Sequence, residues 1–179
     1  NMREKVKVEA AHLVAEVDAD LRNRIQALRR MANRWETRGG AQQTEFSIDC
    51  QAYLADMPGF QALEWVDKNF VVRWVIPLEG NERALNFNLA SEKQRFIALQ
   101  KAIILHMPTV TAPIDLVQGG KGFLIYFPIY VDNDFQGFLL AVFRIQEWMD
   151  FVLGTSVTRL AKDFDIAISI DDIPVLQTT

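Results

Sequence analysis

From residue 3 to 38 the chain carries no proline or glycine, and apolar residues recur at Val6, Ala10, Leu13 and Val17, then Leu21 and Ile25, then Leu28, Ala32 and Trp35. The opening four-three-four spacing is that of a heptad seam on a helix. The two successive four-residue steps from Val17 to Ile25 form a stutter, which locally unwinds a coiled coil. Such a helix spans roughly 50 Å, longer than one small core needs. The seam therefore fits either a helix laid along its own domain or a stalk that pairs with a second copy. Asp18 with Arg22 and Asp20 with Arg24 are expected to support it from the solvent side. "RGG" at 38–40 ends it, glycine supplying the C-terminal cap.

A shorter helix is predicted over 43–55, with Thr44 as N-cap and Phe46, Cys50, Tyr53 and Leu54 on one face. "MPGF" breaks it, and the apolar period then shifts toward two. "ALEWVD" and "FVVRWVIPL" read as a strand pair joined at Asp67-Lys68-Asn69. Strict alternation puts Phe70, Val72, Trp74 and Ile76 on one side and Val71, Arg73 and Val75 on the other. A helix from Ser91 to Leu105 follows, capped by Ser91, with a stripe of Phe96, Leu99 and Ile103. Pro108 closes it, and "TVTAPIDLV" gives a further strand in which Pro113 marks an edge or a bulge.

Two apolar runs, "GFLIYFPIYV" and "FLLAVFRI", flank the turn "VDNDFQG". Each is about half the roughly twenty residues that a helix needs to cross a bilayer. They are expected to be adjacent antiparallel strands at the centre of a sheet covered on both faces. Alternation sets Phe123, Ile125, Phe127 and Ile129 against Leu124, Tyr126, Pro128 and Tyr130. It likewise sets Phe138, Leu140, Val142 and Arg144 against Leu139, Ala141, Phe143 and Ile145. A helix near 146–162 and a final strand, "DIAISI", complete the pattern. The order gives an α+β fold, a PAS-like antiparallel sheet flanked by helices and preceded by a long N-terminal stalk helix. The division is a stalk over 1–40 and a sheet domain over 41–179.

Composition narrows the function. Half of the 179 residues are hydrophobic, so the chain folds around a core, and its net charge of −4 argues against nucleic acid as a partner. The single cysteine, Cys50, excludes an internal disulfide and a thiolate zinc cluster. Neither His12 nor His106 belongs to a metal-ligand spacing. No serine sits in a nucleophile elbow, and "QGGKG" leads into a strand where a phosphate-binding loop leads into a helix. No enzyme, metal or cofactor is called for. The polar exceptions in the apolar strands matter more. Arg73 and Arg144 must reach solvent or an anion, and Tyr126 and Tyr130 must place a hydroxyl. Apolar walls with a few converging polar groups describe a small-molecule pocket on one face of the sheet.

The run from "FQALEWVDKNF" through "SEKQRFIALQKAIILHMPTVTAPIDLVQ", "GFLIYFPIY" and "GFLLAVFRIQEWM" resembles the CHASE domain, a sensory module of bacterial and plant membrane receptors. The resemblance implies an extracytoplasmic domain, periplasmic in bacteria, tethered by flanking transmembrane helices that lie outside this segment. It also implies a small-molecule ligand, a homodimer through the stalk helix, and output to a cytoplasmic histidine kinase or a nucleotide or diguanylate cyclase region. The chain opens inside a helix, which fits a segment of a longer receptor. In plant cytokinin-binding members a carboxylate holds the ligand, whereas "LNFNLASEK" here presents Asn86, Asn88 and Ser91. The candidate ligand-binding residues are Trp65, Arg73, Trp74, Thr111, Tyr126 and Arg144. The competing reading is a cytoplasmic PAS-like dimerisation module that binds only protein.

Overall fold

The computed structural model describes residues 1–170 and 172–178. Helix α1 (Met2–Thr37) is unbroken, and the Asn1 side chain caps it by accepting the Arg3 N–H at 2.9 Å. The seam from Leu13 onward is taken up by the chain's own core. Leu28, Met31, Ala32 and Trp35 are fully buried, while Leu13, Val17, Leu21 and Ile25 pack against the same cluster. Asp18 and Arg22 pair in solvent as expected. Asp20 and Arg24 do not. Arg24 is 2% exposed, with Nε on Asp20 at 2.6 Å and its Nη atoms donating to the carbonyls of Met57 (3.2 Å) and Pro58 (2.5 Å). The guanidinium also lies over the rings of Phe60 and Phe151. Chain turns expose carbonyls that need donors, and the break after the second helix meets that need with a helix arginine.

Helix α2 (Gln43–Asp56) starts one residue before Thr44, which therefore lies inside the helix. Its first-turn bond runs from the Phe46 N–H to the Gln42 carbonyl at 2.8 Å. Strands β1 (Ala62–Val66) and β2 (Val72–Ile76) are antiparallel neighbours. Helix α3 (Lys93–Leu105) follows two short 3-10 turns. Its first turn is closed by the Glu92 carbonyl, and Ser91 instead donates its hydroxyl to Asn88 at 2.7 Å. Strands β3 (Thr109–Val110), β4 (Ile114–Asp115), β5 (Lys121–Val131) and β6 (Asp134–Arg144) complete an antiparallel sheet in the order β2-β1-β6-β5-β3, with β4 also on β5. Helix α4 (Ile145–Leu160) leads to a separate hairpin of β7 (Ala167–Ile170) and β8 (Ile173–Gln177).

The sheet is covered on both sides. Helices α1, α2 and α4 pack one face through Trp35, Phe46, Trp65, Phe127, Phe143 and Trp148. Helix α3 and the segment before it pack the other, through Val72, Leu89, Leu99, Tyr126, Phe138 and Leu140. Each large apolar side chain fully buried in this way contributes roughly 1.5–3 kcal/mol. Over Phe123–Ile129 and Gly137–Arg144 the two faces of β5 and β6 follow the period-two pattern, and a bulge at Gln136 brings Phe135 onto the face of Phe138. Strand β2 departs from it. Trp65 pairs with Trp74 but Val66 pairs with Val72, so Arg73 is the extra residue of a bulge. Val72 and Val75 consequently share the α3 face, and Trp74 and Ile76 the other.

Candidate functional site

One cross-strand row on the α3 face combines charge, burial and an unanswered hydroxyl. Register places Val75, Glu64, Leu140, Tyr126 and Thr109 side by side across five strands. Glu64 is 2% exposed in a strand whose other residues are all buried hydrophobics. Its oxygen Oε1 accepts from Gln118 Nε2 at 2.9 Å. Gln118 sits on the turn before β5, which Gly119 and Gly120 make possible by adopting φ of +98° and +80°. Burial pushes the Glu64 carboxyl up to about 8, against the pull of the Gln118 hydrogen bond and of Arg95 nearby.

Arg95 enters from the first turn of α3 and is 6% exposed. Its guanidinium pairs with Glu92, donates to the Asp115 carbonyl at 2.7 Å, and lies over the Phe87 ring. Burial lowers its pKa, opposed by Tyr126, Glu64 and Asp115. Tyr126 is fully buried, edge-on to Phe138, and its hydroxyl has no hydrogen-bond partner. Burial raises its pKa. Strands lie about 4.8 Å apart, so Glu64 and Tyr126, two strands apart, are about 10 Å from each other at the backbone. Beside Glu64 lies a cavity of about 10 Å³ bordered also by Arg95, Gln118, Leu124, Leu140 and Val142, and Tyr126 stands outside its lining. That is room for one water at most. The site is built but closed.

A second concavity, a groove of about 910 Å³, runs between α1, α4 and the β7–β8 hairpin. It is lined mainly by aliphatic side chains such as Val6, Leu13, Val17 and Leu153, and among the described residues its polar lining, Glu9, Asp18, Thr111, Asp165 and Ser169, includes no fully buried group. Orientation of a small ligand needs such groups, which favours the α3 face.

The six residues singled out in the sequence scatter. Tyr126 alone joins the buried polar row. Trp65 and Trp74 stack on the opposite face at 5.6 Å, against Trp35 and Phe46 respectively. Arg73 is exposed on its bulge and pairs with Asp67 at 2.6 Å. The Thr111 hydroxyl accepts the Leu124 N–H at 2.9 Å on the sheet edge and borders the groove. Arg144 reaches the Gly119 carbonyl (3.3 Å) and Glu147 (2.8 Å). Glu64, Arg95 and Gln118 were missed. The signal was there for two of them: Glu64 alternates with Ala62 and Val66, and Arg95 precedes Leu99 by four and Ala102 by seven.

Tyr130 ties the helix over the site to the long helix. Its hydroxyl donates to the Ile103 carbonyl near the end of α3, its backbone N–H donates to the Glu36 carboxylate on α1, both at 2.9 Å, and His106 stacks on its ring at 4.1 Å.

The chain matches the sequence model of the CHASE domain family over residues 9–176. It is a CHASE domain. The match takes in nearly all of α1 as well as the sheet, and the family is one of sensory domains. No curated protein matches the chain in sequence. Among solved structures it is similar in fold to an extracellular ligand-binding receptor from Desulfohalobium retbaense, at 15% identity and TM-score 0.70, covering 93% of this chain and 30% of that one. It is also similar to the ligand-binding domain of the Pseudomonas aeruginosa amino acid chemoreceptor PctC in complex with GABA, at 10% identity and TM-score 0.70, covering 97% of this chain and 74% of that one. The domain of the Pseudomonas fluorescens chemoreceptor CtaA in complex with L-serine is similar at 15% identity and TM-score 0.58, covering 97% and 73%. This CHASE domain thus spans less than a third of the first chain and about three quarters of the other two. Among its described residues no helix is long and apolar enough to cross a membrane.

Proposed function

We propose that this CHASE domain is the extracytoplasmic, periplasmic small-molecule sensor of a bacterial transmembrane receptor, with its ligand site on the α3 face of the sheet. The observation that carries this reading is the fully buried Tyr126 hydroxyl without a partner, in one row with the buried Glu64. An orphaned buried polar group costs about 1–3 kcal/mol, and a ligand that answers it recovers that cost. The similar ligand-binding domains hold GABA and L-serine, which supports a polar molecule of that size as the ligand.

Because the site is closed, a ligand must part α3 and the Gln118 turn from the sheet. Tyr130 then passes the displacement to Glu36 and so to α1. A homodimer through α1, for which the exposed Val6, Val8 and Val14 offer apolar surface, carries the change to a cytoplasmic kinase or cyclase region. A ligand shifts such an equilibrium only by its differential affinity for the two arrangements. The test is thermal unfolding of the domain against a metabolite library. A ligand at a hundred times its dissociation constant stabilises by about 2.7 kcal/mol and raises the midpoint by several degrees. The expected result is a ligand whose effect is reduced in Tyr126→Phe. An empty library would favour a module that binds protein instead.

A further inference from the structure

The buried row on the α3 face holds an acid that forms an ion pair with no cation among the described residues. Arg95 is the nearby positive group, yet it makes its ion pair with the Glu92 carboxylate and its hydrogen bond with the Asp115 carbonyl, and neither is to Glu64. Asp115 in turn pairs through its side chain with Lys121 at 2.6 Å, out at the sheet edge. On the strands flanking Glu64 the opposed residues are Val75 and Leu140, which are apolar, and beyond Leu140 the only titratable neighbour is Tyr126. Gln118, which covers the carboxyl group from the turn, is neutral and supplies a single N–H. A carboxylate so enclosed either keeps its proton or acquires a cation from outside.

Resting on the sensor reading above, we propose that Glu64 selects ligands bearing a cationic amino group and that binding exchanges the carboxyl proton of Glu64 for that cation. No bond to carbon changes. The Glu64 O–H gives its proton to solvent, and the resulting carboxylate accepts N–H bonds from the ammonium group while Gln118 keeps its own. The unpartnered Tyr126 hydroxyl, in the same row, takes a second polar group of the ligand. Leu140 separates Glu64 and Tyr126 in the row, so the body that joins the ligand's polar groups is compact and apolar. An anionic group is disfavoured at the Glu64 end, because the nearby cation, Arg95, is already paired with the Glu92 carboxylate. In the ligand-free domain the carboxyl group, held up to about 8 by burial, carries its proton at neutral pH. The exchange therefore has a proton to release.

The experiment is isothermal titration of the folded domain at neutral pH with matched probes: GABA against butyrate and propylamine, and L-serine against glycerate. Each is run in phosphate and in Tris, whose ionisation enthalpies differ, so that the apparent heats report protons released. The expected result is binding by amine-bearing members only, with about one proton released per ligand. In Glu64→Gln, checked for an unchanged fold, affinity is expected to fall at least about tenfold, and proton release to vanish. Butyrate or glycerate binding as well as its amine partner would overturn the assignment, as would amine binding without proton release or untouched by Glu64→Gln. If no probe binds but the wider metabolite library yields a ligand without an amine, the sensor reading stands and the amine assignment falls. If the library yields nothing either, both fall.

Discussion

The two faces of the central sheet are built from the same strands, yet they settle their polar groups differently. On the α1/α2/α4 face two of the indoles find a carboxylate: Trp35 gives its N–H to Asp49 at 2.9 Å and Trp148 gives its own to Asp20 at 2.7 Å. Even the buried Arg24 is answered there by a carboxylate and two carbonyls. On the α3 face Glu64 has one neutral donor and the Tyr126 hydroxyl has none. Fully satisfied networks make a core rigid and unique, and partly satisfied ones leave free energy for a ligand to recover. On the function proposed above the first face is the scaffold and the second the reader, and the division runs through single strands, residue by alternate residue.

Mutations sharpen that contrast, beginning with the largest effect. Trp35→Ala, which empties the centre of the aromatic face, is expected to cost about 3–5 kcal/mol in urea unfolding. Next comes Glu64→Gln, read against pH. The folded carboxyl pKa of about 8 lies above the ordinary 4.5, so the wild type is most stable below the ordinary value and loses stability as pH rises through 8. Between those limits the loss is about 1.4 kcal/mol per pH unit, and Glu64→Gln is expected to remove this slope. Identical slopes in denaturant midpoints from pH 5.5 to 7.5 would show that Glu64 ionises freely and would dissolve the contrast between the faces. Tyr126→Phe removes a hydroxyl that bonds to nothing, and the ligand-free domain is expected to gain up to about 1 kcal/mol. Arg73→Ala, on its exposed bulge, is expected to stay within about 0.5 kcal/mol of wild type.

The strand faces were legible wherever the period of two ran unbroken. Phe123 to Ile129 and Leu139 to Ile145 were placed correctly because each has its apolar partner across the strand. The bulge at Arg73 was not legible, since one inserted residue leaves no mark on composition while it reverses every later side chain. That reversal is why Arg73 stands in solvent and Val75 in the core. The long helix was read from its seam, but the seam alone left two destinations open, and Leu13 to Trp35 lie against the chain's own sheet. Asp20 and Arg24 were read as a solvent pair because helical spacing records which residues are neighbours, not what approaches them from elsewhere. The proposed site was half visible. Tyr126 stood out as polar in an apolar strand, whereas Glu64 was passed over in "ALEWV" and Arg95 was left off a stripe drawn only from hydrophobics.

The grip of α1 on the domain has a mechanical consequence. The helix is held near its middle, where Asp20 and Arg24 bind α4 and the Met57–Pro58 carbonyls, and at its end, where Glu36 meets Tyr130. Toward its start the apolar grip thins to Leu13 and Val17, and the polar contacts with α4 and the turn after it are Glu16 with Ser156, Glu9 with Arg159 and Lys5 with Asp163, the exposed ones worth little each. On the proposed relay this makes α1 a lever with its fulcrum at Arg24. From there Glu36 lies roughly 18 Å along the rod and Met2 roughly 33 Å the other way. A sideways step imposed on Glu36 by the closing or opening of the sheet would then arrive at the far end nearly doubled and reversed in direction.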